Sequence, residues 1–274
     1  MLSFGKAREG FTLYCQVANH SKKTVDWYAA NLTALERFLL SRYSLQDPER
    51  LLVQDITKED TQSFIVYLQG RDTLYEKHAH RAPVSRKLSA YTVHAYVRTL
   101  SAFFHWAIRE KVIASSPMEN LPRPKLPKSI KPRFSESEIK ALLKACEGNT
   151  PLAVRNRALV MVLLDSGLRA SELCGLLLTD LDKDYRRALV LGKGAKQRYV
   201  VFGARTRQAL WQYVNVHRPQ ADETNAVFLS NKGKQLTIFG LDRILHNLGK
   251  RAGVEDVHAH KFRHTAARLA LANG

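Results

Sequence analysis

Apolar side chains recur every three or four residues along much of the first 115 residues. This spacing places them on one face of a helix. It predicts helix through most of residues 11–42 and again over 91–112. Residues 1–10 show no such face, and we expect a loose lead there. The apolar positions are Val25, Tyr28, Leu32, Leu35 and Leu39 in the first stretch, and Val93, Tyr96, Val97, Leu100, Phe103, Phe104, Ala107 and Ile108 in the second.

A further helix is predicted after Thr57. Asp60 follows it by three residues, which is a capping-box arrangement with a short acid. Gly70 is expected to end this helix, and the polar, basic residues 71–89 are expected to form a loop. Residues 1–115 are therefore predicted to form an all-helical domain.

Residues 116–133 are predicted to be a linker, because their prolines forbid a continuous helix. The charges from residue 123 to residue 133 are all positive, so an extended tether could follow a phosphate backbone. An ordinary charged spacer is the alternative. The prolines are Pro117, Pro122, Pro124, Pro127 and Pro132, and the cations are Arg123, Lys125, Lys128, Lys131 and Arg133.

Residues 134–274 are predicted to form a second domain that mixes helices with a few strands. Ser135 and Glu138 form a capping box, with Phe134 and Ile139 at the positions of a hydrophobic staple, and the helix runs to about residue 146. Gly167 should break the pattern between helices over 155–164 and 168–178. The segments RRALVL and QRYVVF read as two strands around a tight turn, and 226–237 as a short strand and turn. Three more helices are predicted over 206–217, 237–250 and 261–272, so the fold class is mainly α with a small antiparallel sheet.

The formal net charge is +18 and the sequence pI is about 10.0. A chain this basic usually binds a polyanion, most often nucleic acid, although solubility alone is the alternative. Its three cysteines are far apart and form no CxxC pair, which fits a reducing compartment and argues against a disulfide framework. We find no signal peptide and no apolar run of membrane-spanning length, and we expect a cytoplasmic, nucleoid-associated protein.

Arg169, in the segment GLRASEL, is predicted to lie in the first turn of a helix. A cation there opposes the helix dipole, so the position makes sense if an anion binds at the same end. The planar guanidinium can hold two phosphate oxygens at once. Glu172, one turn later, could orient it. A surface Arg–Glu pair is the structural alternative.

His260, Arg263 and His264 share one face at the start of another predicted helix. A His–Arg pair there can hold a phosphate and move a proton. A metal site built from His258, His260 and His264 is an alternative that we do not favour, because acidic or thiol ligands are absent nearby. We expect His264 to be a core histidine.

The turn GKGAKQR offers a lysine that could reach into a groove and donate a proton to a leaving oxygen. Lys193 is the candidate and Lys196 the alternate, while Lys196 and Arg198 are candidates for DNA contact. Strands flank the turn, so it is not a nucleotide-binding loop. The alternative is a solvent-exposed turn with no catalytic role.

In this order on a basic two-domain chain, these features resemble the tyrosine recombinase (phage integrase) family. The resemblance covers residues 11–274 and includes SAFFHWAIREKVIASSPMENL, GLRASEL, Lys193 at 24 positions after Arg169, and the HKFRH box. It implies a helical, SAM-like core-binding domain and a catalytic domain of the DNA breaking-rejoining enzyme fold. It also implies attack of a tyrosine on a DNA phosphate, with Arg169 and Arg263 stabilising charge, Lys193 as general acid and His260 assisting proton transfer. Neither a cofactor nor a metal is implied; the partners are duplex DNA with paired sites and three further protomers at a Holliday junction.

The sequence departs from the family pattern after Arg263. The family's nucleophilic tyrosine follows that box, whereas none of the ten tyrosines here does. We therefore expect this chain to bind DNA without cleaving it and to be a monomer that forms tetramers weakly. His258-Ala259 replaces a common Thr/Ser-Pro, and His258 is expected to be a poorer helix cap. A DNA-binding regulator, a type IB topoisomerase and an RNA-binding protein are the alternative functions.

Overall fold

A computed structural model describes residues 1–74, 84–122, 124–127, 132–192, 196–220 and 224–272. The chain divides into two compact units, Met1–Lys128 and Ser129–Gly274, which are described separately below. The division falls inside the predicted linker at 116–133. Within the described ranges, no helix is long and apolar enough to cross a membrane.

The described part of the first unit contains four α-helices: α1 (Phe4–Val17), α2 (Lys22–Arg42), α3 (Lys58–Gly70) and α4 (Ala90–Arg109). The capping box predicted at α3 is confirmed, since Thr57 and Asp60 exchange hydrogen bonds between side chain and backbone. The all-helical prediction is wrong in one detail. Two short antiparallel strands, β1 (Thr73–Leu74) and β2 (Val84–Ser85), lie in the segment expected to be a loop.

The prediction of a loose N-terminal lead is wrong, because α1 already begins at Phe4. Phe4 has no exposed surface, and its ring centroid lies 5.3 Å from that of Phe103 on α4. The ring centroid of Phe11 lies 5.6 Å from that of Phe103. Burial of these aromatic rings stabilises the start of α1, which the apolar pattern of residues 1–10 does not predict.

The second unit contains the helices α5 (Glu136–Lys144), α6 (Pro151–Ser166), α7 (Ala170–Cys174), α8 (Ala204–Gln212), α9 (Ile238–Ala252) and α10 (Ala259–Ala272). Its antiparallel strands are β3 (Arg187–Leu191) and β4 (Gln197–Val201), with Leu189 opposite Tyr199. A mainly helical fold with a small antiparallel sheet is therefore confirmed.

Two predicted elements of this unit are shorter than expected. The helix predicted over 168–178 is only the five residues of α7, followed by a 3₁₀ turn at Leu178–Asp180. The strand predicted within 226–237 is reduced to isolated bridges, Leu177 with Ala226 and Leu229 with Gln235. A π-helical turn, Tyr213–His217, continues α8.

Helix α6 lies in the middle of the core of the second unit. Its run Ala158, Leu159 and Val160 has no exposed surface, whereas Arg157 and Asp165 on one face of the helix are exposed. Gly167 ends it with φ 58°, in the left-handed region that favours glycine. The chain then turns through Leu168, which is fully buried, into Arg169.

Helix α10 is fastened to the segment just before α5. The rings of Phe134 and Phe262 have centroids 4.7 Å apart, and the Phe134 N–H donates to Thr265 Oγ1 at 3.0 Å. Lys261 Nζ lies 3.6 Å from Glu138, which also completes the predicted capping box with Ser135. These contacts fix the start of α10, where the predicted site residues lie.

Candidate active site

Arg169 is the N-cap residue of α7, one position before the first helical turn in which it was predicted. Its backbone is extended, with φ −70° and ψ 154°. Its N–H donates to Glu172 Oε2 at 2.9 Å, and its Nη1 donates to Oε1 of the same carboxylate at 2.7 Å. Glu172 therefore orients the guanidinium. Since 46 % of the Arg169 side chain is exposed, the guanidinium is still accessible to a ligand.

Glu172 is the best-buried acid of the site, with only 3 % of its side chain exposed. Besides Arg169 it receives two hydrogen bonds from Arg198, from Nη1 to Oε1 at 3.0 Å and from Nη2 to Oε2 at 2.8 Å. Burial alone would raise the pKa of Glu172, but the hydrogen bonds from Arg198 and Arg169 outweigh it and lower that pKa to about 2. The carboxylate is therefore ionised throughout the neutral range.

Arg263 extends from α10 to the turn that precedes Arg169. Its Nη1 donates to the carbonyl oxygen of Gly167 at 2.7 Å, and the side chain is half-buried. A Cβ on Gly167 would lie 3.2 Å from the Cβ of Ala266, so α10 passes close to this turn. The structure thus brings both predicted arginines to one short turn, residues 167–169.

His260 lies in the first turn of α10 and is exposed, whereas His264 is half-buried. Their ring centroids are 4.5 Å apart and nearly perpendicular. The prediction of His264 as a core histidine is thus met only in part. Within the described residues, no group of three His, Cys, Asp or Glu side chains is placed to hold a metal ion.

His258 accepts a capping hydrogen bond at the start of α10. Its Nδ1 accepts a hydrogen bond from the Lys261 N–H at 3.0 Å, as a serine or asparagine oxygen would. Its Nε2 lies 3.6 Å from Asp256.

The predicted general acid, Lys193, lies outside the described residues. The described residues nearest to it are Gly192 and Lys196: the Gly192 N–H donates to the Lys196 carbonyl oxygen at 2.7 Å, and Lys196 is exposed. Lys193 and Lys196 therefore both stay candidates for this role.

The residues predicted to contact DNA are exposed where the structure describes them, with one exception. Lys125, Arg133 and Lys196 are exposed, whereas Arg123, Lys128 and Lys131 lie outside the described residues. The exception is Arg198, because both of its terminal nitrogens bind Glu172. Sequence reasoning missed this pair, and no helical or strand spacing links positions 172 and 198.

Comparisons with known proteins agree with the geometry. Residues 132–274 match the model of the phage integrase family, and residues 11–123 match that of the phage integrase SAM-like domain. The chain is 32 % identical over 259 residues to the tyrosine recombinase XerC of Staphylococcus aureus strain JH9, covering 93 % of this chain and 79 % of that protein. It is 33 % identical over 271 residues to XerC of Bacillus licheniformis, covering 96 % and 82 %.

A solved structure with a similar fold is that of a lambda integrase tetramer bound to a Holliday junction. The TM-score is 0.69 at 16 % sequence identity, over 98 % of this chain and 73 % of the other. At this identity the similarity supports the fold alone.

Proposed function

This chain belongs to the phage integrase family of tyrosine recombinases, and we propose that it acts in site-specific DNA recombination by binding duplex DNA and activating one backbone phosphate. The observation that carries the proposal is the turn at residues 167–169. The Arg169 guanidinium is held beside this turn by the buried carboxylate of Glu172. The Arg263 guanidinium is held there by the carbonyl oxygen of Gly167.

Two fixed guanidinium groups suit a phosphate whose negative charge rises in the transition state. Donors that are already oriented stabilise that charge without reorganising during the reaction. Arg169 and Arg263 take this role, and His260, exposed on α10 three residues before Arg263, assists proton transfer at the nucleophile. Lys193, or Lys196 as the alternate, protonates the leaving 5′ oxygen. The energy of the broken bond is kept in a protein–DNA ester, so the proposed chemistry requires neither a metal nor a nucleotide cofactor.

The nucleophile of such a reaction is a tyrosine, and we assign none of the tyrosines of this chain to it. Tyr213 is buried, and its hydroxyl oxygen accepts a hydrogen bond from the Leu229 N–H at 3.2 Å. Tyr199 lies on β4 with the Arg187 guanidinium 4.9 Å from its ring centroid. The Tyr213 hydroxyl is therefore engaged in the fold, and the Tyr199 ring packs against Arg187.

DNA binding follows from charge and exposure. The net charge of +18 supplies a strong attraction to a polyanion, and Lys125, Arg133 and Lys196 are exposed candidates for phosphate contact. By analogy with the lambda integrase structure, a tetramer bound to a Holliday junction, we propose that protomers assemble on paired DNA sites, weakly for this chain. The stoichiometry is measured by light scattering of the protein with and without DNA.

The salt dependence of binding tests the first half of the proposal. About 6–10 phosphate contacts lower the affinity by roughly 10³–10⁵ between ~50 and ~200 mM salt. Fluorescence anisotropy with a labelled duplex should show this fall, and RNA of equal length should bind more weakly. A flat response to salt, or equal affinity for RNA, contradicts duplex-DNA binding.

Strand cleavage tests the second half. Because no tyrosine of this chain is assigned as nucleophile, the assay uses the full gene product: a site selected from random duplexes is incubated with it, and denaturing gels detect a covalent protein–DNA complex. Arg169→Lys and Arg263→Lys should reduce complex formation by at least ~10²-fold with little change in affinity. Arg205→Lys, an exposed arginine on α8, is the matched control. Equal losses of cleavage and affinity would make the two arginines DNA-binding residues instead, and relaxation of plasmids lacking any site would indicate a topoisomerase.

A further inference from the structure

Arg198 lies on β4, 26 positions from the acid that it binds. Its two terminal nitrogens meet the two carboxylate oxygens of Glu172 at 3.0 and 2.8 Å, which is the paired geometry that arginine forms with a carboxylate. Glu172 in turn orients Arg169 on α7. One buried carboxylate therefore connects the β3–β4 hairpin to the arginine of the proposed phosphate site.

From this geometry we infer that Arg198 is a positioning residue: it ties β4 to Glu172 and thereby holds Arg169 in the orientation that the phosphate site requires. The inference rests on the proposed function, in which Arg169 acts on the phosphate. It replaces the role predicted for Arg198 from the sequence, contact with the DNA backbone.

The turn end of the β3–β4 hairpin packs around the Arg198 guanidinium. A Cβ on Gly192 would lie 3.1 Å from Arg198 Nη1 and 3.2 Å from the Lys196 carbonyl oxygen, so only a glycine leaves room without displacing them. The Gly192 N–H binds the same carbonyl oxygen at 2.7 Å. The Arg198 guanidinium thus lies beside Gly192, which is bonded to Lys196 across the turn.

The charges of the cluster give Arg198 a second effect on Arg169. Two guanidinium groups share one carboxylate, so the three side chains of Arg169, Glu172 and Arg198 carry a net charge of about +1. Without Arg198, Glu172 would neutralise Arg169 alone, and that arginine would stabilise the negative charge that develops in the transition state less well. The hydrogen bonds from Arg198 also lead the forces that keep the pKa of Glu172 low.

The titration of Glu172 tests the contact itself and needs no DNA. The carboxyl carbon of Glu172 is followed by NMR in the wild type, in Arg198→Gln and in Arg186→Gln, which removes an exposed arginine just before β3. Arg198→Gln should raise the midpoint of Glu172 by about one pH unit or more, and Arg186→Gln should leave it unchanged. An unchanged midpoint in Arg198→Gln overturns the inference. Should that variant not fold, Arg198→Lys keeps the charge without the fork, and its midpoint should rise by a smaller amount.

DNA measurements then separate positioning from phosphate contact. Each phosphate contact contributes a slope of about −0.9 in log K against log salt. Arg198→Gln should keep the wild-type slope and affinity but slow the single-turnover cleavage rate of the full gene product, at saturating protein, by at least ~10-fold, while Arg186→Gln keeps the wild-type rate. A slope smaller by about 0.9, or equal losses of rate and affinity, makes Arg198 a DNA contact. A wild type that does not bind DNA refutes the proposed function, and the titration still decides the contact of Arg198 with Glu172.

Discussion

Replacing Glu172 by Gln should destabilise the second unit more than any exposed Glu→Gln change. The carboxylate has 3 % exposure and accepts four hydrogen bonds, three from guanidinium nitrogens and one from the Arg169 N–H. A carboxamide of the same shape keeps one oxygen and turns an NH₂ group towards arginine donors. Two positive charges are then left without their acid.

The pKa gives the magnitude. A shift from the ordinary value of 4.5 to about 2 corresponds to about 3 kcal/mol of the free energy of unfolding at neutral pH. Because the folded-state pKa is the lower one, this stabilisation is complete above pH 4.5 and is lost as the pH falls through 2. Glu172→Gln does not titrate at this position, so its deficit relative to the wild type should shrink across the same window.

Urea denaturation read by hydrogen exchange of peptides from residues 129–274 measures this unit separately from the first. The wild type, Glu172→Gln and Glu147→Gln, an exposed control in the same unit, are compared at pH 7 and pH 3. The control should stay within about 0.5 kcal/mol of the wild type. A deficit below about 1 kcal/mol at pH 7, or one that is as large at pH 3, would refute the reasoning.

Three further predictions concern this unit. Gly167→Ala should cost about 1–2 kcal/mol in urea denaturation, because the residue has φ 58° and its new Cβ would press on Ala266; a neutral change contradicts this. His258→Ala should cost about 1 kcal/mol and speed hydrogen exchange in α10, whereas His258→Asn should restore the cap, and equal behaviour of the two variants argues against capping. Burial raises the pKa of Cys146 and of Cys174 to about 11, so about one thiol in 10³ is ionised at pH 8. Disulfide reagents should therefore label either cysteine only after unfolding. Rapid labelling of the native protein would contradict their burial.

Local signals in the sequence predicted much of the fold. The capping boxes at Thr57 and Ser135 are confirmed because both partners of a capping box lie within four residues of each other. Gly167 ends a helix as predicted, since its conformation is a property of a single residue. The β3–β4 hairpin was visible from the change of period on either side of a glycine-rich turn.

The errors arose where long-range packing overrides local pattern. Helix α1 begins at Phe4 because the ring of Phe103, about a hundred residues later, buries it. The helix predicted over 168–178 stops at Cys174, where Leu176 and Leu178 instead bond to the backbone near Ala226. Neither partner could be read from the neighbouring residues, because the contacts join segments that are distant along the chain.

The candidate site divides in the same way. The sequence by itself determined which residue types are present and which share a helix: Arg169 with Glu172, and His260 with Arg263. Only the tertiary structure decided that Arg263 binds the Gly167 carbonyl oxygen and that Arg198 binds Glu172. Spacing along a helix fixes neighbours within one turn, whereas a buried carboxylate is satisfied by whichever donors the packed elements bring to it.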